Sequence, residues 1–323
     1  MTKLAYILAA SHSGSTLLTM LLNSHPDVAT VGELAPGHME DGEGYRCSCG
    51  TRIRECSFWQ WVIFEMRKKG IDFRLEEFGT RFSMPDSRLA GWLLGPLHHG
   101  PVLEFFRDVG LGWTPGWPER IQKIMRTNEA LIELIMKYYH ARVFVDKGNI
   151  ALRLKYLLRI PSFDIKVIHL IRDGRAVALT YMDPASYADA LDPKLRGGGG
   201  GGGREDERLL MARAAYEWSR SNEEAQNVLR GLDKSRRIEV RYEDLCTHPQ
   251  TTLDRLLTFL GLDPAKRVQD FRTVEHHVVG NGMRLDTTSR IQLDDRWRST
   301  VTRNDSRTFD LVAGKMNQDY GYE

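Results

Sequence analysis

The chain has no apolar run near the ~20 residues that a membrane-spanning helix needs. It has no internal repeat, which sets aside solenoids and propellers. It has no surplus of one charge. Its 45 Lys and Arg face 43 Asp and Glu, a net charge of +2, so no long polyanion is implied as a partner and no nucleic acid is expected. Cysteine is scarce, at Cys47, Cys49, Cys56 and Cys246 only. The first three form C-x-C-x6-C, narrower than the usual paired zinc spacings. They read as a structural thiol cluster or disulfide in preference to a metal site, with His38 or a distant residue as a conceivable fourth ligand. A signal peptide is not expected either, because the short apolar start runs straight into a loop that must be retained to work. What remains is a 323-residue chain of ordinary globular composition, enough for one large domain carrying a sizeable insertion.

The stretch Leu4 to Asn23 organises that chain. Leu4 to Ala10 is an apolar run of strand length. Ser11 to Thr16 is small and polar apart from His12. Leu17, Leu18, Leu21 and Leu22 then recur at helical spacing, giving strand, tight loop, helix. Such a loop binds anions because the first N–H groups of a helix lack intrahelical partners and the helix dipole is positive there. Ser13, Ser15 and Thr16 add hydroxyls, and Gly14 permits close backbone approach. A Walker A loop would place glycine at Ala9 and lysine at Ser15, so the cradle lacks the nucleoside-triphosphate lysine, and no Mg²⁺ carboxylate motif is evident.

Val28 to Val31 reads as a second strand, closed by Gly32 and the acid Glu33, where α/β folds place ligands. Residues 36–126 form a glycine-rich, then aromatic stretch with Phe58, Trp59, Trp61, Trp92, Trp113 and Trp117. It suits either a substrate wall or a local core. Regular alternation follows: helix 128–140, strand 142–146 ending in Lys147-Gly148-Asn149, helix 150–159, strand 165–171 capped by Arg172-Asp173-Gly174-Arg175, and a helix from Ala176. Gly197 to Gly203 reads as a flexible loop, poised as a gate over bound ligand. Beyond it lie a helix at 205–232, a strand Arg237 to Arg241, and a helix from Pro249 to Leu260 closed by Gly261. A last helix spans about 305–318. The expected fold is α/β, a three-layer α/β/α sandwich around a central parallel sheet, with 1–323 as a single domain.

Two strand-end anion motifs therefore stand together: the serine-rich loop, and Ile171 to Thr180 with a guanidinium and a hydroxyl eight residues on. Two such sites suit a nucleotide phosphorylated at both its 5′ and 3′ positions. In this order the motifs resemble the sulfotransferase family, which uses 3′-phosphoadenylyl sulfate (PAPS). SHSGSTLLTMLLNSHPDVATVGEL resembles its 5′-phosphosulfate loop, VIHLIRDGRAVALTY its 3′-phosphate motif, and VRYEDLCTHPQTTL a late segment. CSCGTRIRECSFW and HHVVGNGMR resemble bacterial members, and RDGRA with the GEL acid points to the tyrosylprotein and carbohydrate branch.

The resemblance implies a P-loop-like sulfotransferase fold and a role for each matching residue. Ser13, Gly14, Ser15 and Thr16 would hold the 5′-phosphosulfate. Arg172 and Thr180 would hold the 3′-phosphate, Tyr242 would pack near adenine, and Arg284 would close over the nucleotide. Glu33 would be the general base and Lys147 would reach the sulfonate. His12 stands where the family has Lys or Arg, so it either donates as imidazolium or leaves that charge to Lys147. The reaction implied is sulfuryl transfer from PAPS to a hydroxyl of a small molecule or carbohydrate. Adenosine 3′,5′-bisphosphate is released without a metal, in a bacterial, cytoplasmic enzyme for which a homodimer is compatible. The alternatives are a P-loop nucleotide or small-molecule kinase and a non-catalytic nucleotide-binding relative.

Overall fold

A computed structural model describes residues 1–35, 45–95, 101–187 and 208–323. The glycine run 197–203 and His38 lie outside these residues. Five parallel strands form one sheet: β1 (Thr2–Ala9), β2 (Val28–Ala29), β3 (Val143–Asn149), β4 (Phe163–Ile171) and β5 (Arg237–Arg241). Their order is β2-β3-β1-β4-β5. The hydrophobic runs behave as a doubly covered parallel sheet requires. In β1, Leu4, Tyr6 and Leu8 face one core and Ala5, Ile7 and Ala9 the other. Helices α2 (Ser57–Lys68), α3 (Arg88–Leu94), α4 (Pro101–Gly112), α5 (Trp117–Tyr139) and α6 (Ala151–Leu157) all fall between β2 and β4 in the chain, and α2, α5 and α6 supply the first core. The second core is built by α1 (Ser15–Leu22), with α10 (Tyr242–Thr247) and α11 (Pro249–Leu260) following β5. Between them in sequence, α7 (Gly174–Met182), α8 (Pro184–Tyr187) and α9 (Met211–Arg230) follow β4, and α7 and α9 pack with Phe309 in a third cluster. The fold is thus the expected three-layer α/β/α sandwich. No described helix is long and apolar enough to cross a membrane.

Several boundaries differ from the sequence reading, for physical reasons. Helix α5 starts at Trp117, well before 128, because Gly116 turns the chain at φ 80° and Pro118 occupies the first turn, where a missing N–H costs nothing. β3 runs on through Lys147-Gly148-Asn149. Gly148 is required there, since a Cβ would come within 2.1 Å of the Tyr6 hydroxyl, which donates to the Ile150 carbonyl. The aromatic stretch divides in two. Phe58, Trp59 and Trp117 are core, whereas Trp92 and Trp113 are exposed. The last helix is Arg303–Phe309, carried through a π turn at Asp310–Gly314 into Lys315–Asp319.

Candidate active site

Every strand delivers a side chain or loop to the same end of the sheet. The β1–α1 loop, Glu33 beyond β2, Lys147 near the end of β3, Arg172 after β4 and Tyr242 after β5 all lie at carboxyl ends, where open parallel sheets bind ligands. The loop turns tightly. His12 adopts φ 63° and Gly14 φ 86°, so two left-handed residues precede the first turn of α1. A non-glycine residue in that region stores strain, and such outliers concentrate at functional sites. Asn149, just past Lys147, is a second at φ 54°. Gly14 is fixed by packing as well as torsion, because a Cβ there would sit 2.4 Å from Tyr242 Cδ2. Ser13, Ser15 and Thr16 are buried, and the Ser13 hydroxyl has no hydrogen-bond partner among the described residues. A buried, unpartnered hydroxyl beside free-standing helix N–H groups fits an anionic oxygen.

Two clusters flank this loop. On one side, Lys147 Nζ lies 2.7 Å from Glu33 Oε1 and donates to Thr16 Oγ1 at 2.9 Å. Lys147 is buried, while the Glu33 side chain keeps 24 % of its exposure. The acid, the amine and the loop hydroxyl thus form one continuous contact. The pair is walled by a late segment. Val279 N donates to the Val31 carbonyl at 2.8 Å, Lys147 N to the Gly32 carbonyl at 3.0 Å, and Gly280 adopts φ 122° close against Glu33 and Lys147.

On the other side, Arg172 is 2 % exposed and donates through Nη1 to the His12 carbonyl at 2.8 Å. Its guanidinium lies 4.4 Å over the Tyr242 ring, and Nη2 reaches Asp294 Oδ2 at 2.9 Å. Although burial pushes the Asp294 carboxyl up, Arg296 and Arg172 pull it down to about 2. The RDGR motif therefore separates into distinct tasks. Arg172 reaches the anion loop through the His12 carbonyl. Asp173 caps α7 by accepting from Arg175 N at 3.0 Å, Gly174 N donates to Asn317 Oδ1 at 2.8 Å, and Arg175 stacks 4.1 Å from Trp297.

The remaining expected residues are spread more widely. Thr180 is buried on α7 and donates to the Ala176 carbonyl at 3.2 Å. His12 joins the two anion motifs through its carbonyl, and its ring meets Tyr181 edge-on at 5.5 Å. Arg284 does not face the loop. Its guanidinium donates to the Arg46 and Gly280 carbonyls and packs 4.5 Å from Tyr45, and burial lowers its pKa. It braces the wall beside Glu33 instead. A cavity of about 1000 Å³ opens alongside, lined by Ala9, Ser11, Asn149 and Tyr181 near the sheet and by Arg107 and Arg220 farther out. Its lining includes neither Gly14 nor Arg172. Asp294 carried no motif signal in the sequence. Nor did the buried Asp146–Arg153 pair at 2.9 Å, which with Asn128 braces the strand bearing Lys147.

With this geometry in view, residues 123–266 match the family model described as "Sulfotransferase family". The match covers a little under half of the chain, and over that stretch the chain is similar to the family. It is 24 % identical over 355 residues to human carbohydrate sulfotransferase 2, covering 99 % of this chain and 65 % of that one. It is 30 % identical over 175 residues to mouse carbohydrate sulfotransferase 5, covering 51 % of this chain and 44 % of the relative. The chain thus spans less than two thirds of the length of these relatives. Among solved structures it aligns with the sulfotransferase domain of the Synechococcus PCC 7002 olefin synthase at 18 % identity and a TM-score of 0.47. That alignment covers 100 % of this chain and 95 % of the other.

Proposed function

We propose that the protein transfers a sulfuryl group from PAPS to a hydroxyl of a carbohydrate or other small acceptor. The observation that carries this reading is the continuous contact Glu33–Lys147–Thr16, which sets a carboxylate and a buried ammonium against the helix N-terminus of an anion loop. The carbohydrate sulfotransferases among its relatives favour a sugar acceptor. The 5′-phosphosulfate would lie on Ser13, Gly14, Ser15 and Thr16, where Ser13 Oγ has a hydrogen bond to give. The 3′-phosphate would take Arg172, with Thr180 behind it and Tyr242 against the base.

In the reaction, the acceptor oxygen forms a bond to sulfur as the bond between sulfur and the bridging phosphate oxygen breaks. The acceptor proton passes to Glu33, and the electron pair of the broken bond stays on the departing phosphate. Positioning and charge stabilisation dominate such in-line transfers. Lys147 and the helix N–H groups would stabilise the departing oxygen, the charge that the residue in the position of His12 otherwise supplies in the family. Lys147 also touches the proposed base, which couples proton removal to the growth of negative charge on the phosphate. The test is thermal-shift titration with adenosine 3′,5′-bisphosphate against ATP–Mg²⁺, followed by transfer of labelled sulfate from PAPS to a panel of hydroxyl acceptors. Stabilisation by the bisphosphate alone, with transfer, is expected. Stabilisation by ATP–Mg²⁺ alone would overturn the reading in favour of a kinase.

A further inference from the structure

We propose that Cys47, Cys49, Cys56 and His277 form a closed, structural zinc site that fastens the late segment of the chain to the wall of the active site. The three cysteines come from one hairpin and the start of α2, whereas the histidine lies more than two hundred residues later. Sequence spacing alone therefore could not complete the set. All four ligand atoms lie within 4.8 Å of one another. Cys47 Sγ and Cys56 Sγ are 3.5 and 3.3 Å from His277 Nδ1, and Cys49 Sγ is 3.8 Å from Cys56 Sγ. With Zn–S bonds of about 2.3 Å and Zn–N of about 2.0 Å, tetrahedral geometry puts the ligand atoms roughly 3.5–3.8 Å apart. The three closest separations, 3.3–3.8 Å, lie near the edges of that polyhedron, and the remaining ones stay within 4.8 Å. They are far too long for a disulfide, and all four cysteines of the chain are free thiols.

The surroundings are those of a metal ligand set. Glu275 Oε1 accepts from His277 Nε2 at 2.8 Å, which leaves Nδ1 with its lone pair toward the sulfurs. A carboxylate behind a histidine is the usual device for orienting a ligating ring. The ring is further held by Phe58, stacked at 4.6 Å and 1°. Cys47, Cys56 and His277 are buried, while Cys49 sits at the exposed tip, where Gly50 turns the hairpin at φ 87°. Four protein ligands leave no open position, so the site is structural and takes no part in catalysis. What it secures is specific. Ser48 and Val278 exchange two hydrogen bonds, Tyr45 holds Gly280 N at 2.8 Å, and Val279–Gly280 form the wall beside Glu33 and Lys147.

The inference stands whether or not the protein transfers sulfate, and its test reads metal directly. The full chain, purified under reducing conditions and dialysed, is analysed for metal by mass spectrometry before and after incubation with zinc alone. About one zinc per chain is expected. Cys56→Ser and His277→Ala should fall to background while Cys246→Ser, outside the cluster, retains the metal. Cobalt exchanged into the unmutated protein should show thiolate-to-cobalt charge-transfer bands and the ligand-field absorption of tetrahedral coordination, a readout that does not depend on any variant folding. A chain that neither retains nor takes up zinc overturns the proposal. So does zinc retained undiminished by both variants, or an intact mass showing a disulfide among these cysteines that zinc does not prevent.

Discussion

Gly14→Ala tests whether the two halves of the site are one mechanical unit. Gly14 sits at φ 86°, ψ 16°. Alanine in the left-handed region costs about 1–2 kcal/mol. The new methyl would also stand 2.4 and 2.7 Å from Cδ2 and Cε2 of Tyr242, where carbon pairs prefer about 3.5–4.0 Å. The ring must shift by about 1 Å in a packed setting, an overpacking cost of about 1–3 kcal/mol. Together these give roughly 2–5 kcal/mol. At about 2 °C per kcal/mol, suited to a chain of this size, Tm should fall by roughly 4–10 °C. The same shift withdraws the ring that lies 4.4 Å under the Arg172 guanidinium, a contact worth about 0.5–2 kcal/mol. Affinity for adenosine 3′,5′-bisphosphate should therefore drop by roughly 2- to 30-fold, since each 1.4 kcal/mol is a factor of ten. Calorimetric titration and a thermal melt read both numbers. Tyr242→Ala made in the same chain removes the clash, so the double variant should be more stable than the summed single effects by about 1–3 kcal/mol. Strict additivity, or a Gly14→Ala protein that melts and binds like the unmutated one, would refute the reasoning.

Glu33→Gln should leave bisphosphate binding intact and lower turnover by about 10²–10⁴, the usual worth of a general base; full activity in a PAPS-dependent assay would remove Glu33 from that role. Asp294→Asn should tighten bisphosphate binding, because the carboxylate 2.9 Å from Arg172 Nη2 competes with the proposed 3′-phosphate. Weaker binding in titration would mean that Asp294 positions Arg172 instead. Burial pulls the His169 imidazole down to about 4, against about 6.5 in an unfolded chain. Between those values the unfolded chain takes up a proton that the folded one refuses. Stability should therefore fall with acidification from about pH 6.5 to 4, by up to ~1.4 kcal/mol per pH unit. The nearby Glu239 carboxylate, 3.8 Å from Nδ1, is 58 % exposed and screened, so it does not reverse the sign. Urea melts across that range should show a shallower slope for His169→Gln, and equal slopes would argue against a buried neutral imidazole.

The parts of the fold legible in the sequence were those with local signals. The strand–loop–helix at Leu4–Asn23, the buried strand ending at Ile171, and Arg237–Arg241 with Pro249–Leu260 and its Gly261 cap all carry their pattern within about a dozen residues. Glu33, Lys147 and Arg172 could be singled out because each ends a strand. Arg284 differs in its surroundings: a late arginine in a glycine-rich loop looks available, and in the fold its guanidinium donates to the Arg46 and Gly280 carbonyls. His277 and Asp294 had no local signature at all. Each acquires its meaning from a partner at least 120 residues away, His277 from Cys47 and Cys56, and Asp294 from Arg172. The extent of α5 was hidden because Trp117-Pro118 reads as irregular chain until the left-handed Gly116 is seen to launch a helix.

The late segment binds these observations together. The family match covers residues 123–266, which include Lys147, Arg172, Thr180 and Tyr242 but neither the anion loop, nor Glu33, nor the last strip of the site. That strip touches both ends of the cradle. At Val278–Gly280 it pairs with Val31–Glu33 and walls the acid and the amine. At Asp294–Arg296 it covers Arg172 and reaches the Ser186 carbonyl through Arg296 at 3.0 Å. Neither contact lies in a strand of the sheet, so the sheet alone does not set its position. Arg284 and the cysteine–histidine cluster anchor only the first half. The second half is held by the ion pairs of Asp294 with Arg172 and Arg296, by Arg172 Nη2 donating to the Asp294 carbonyl at 3.1 Å, and by Arg296 donating to the Ser186 carbonyl.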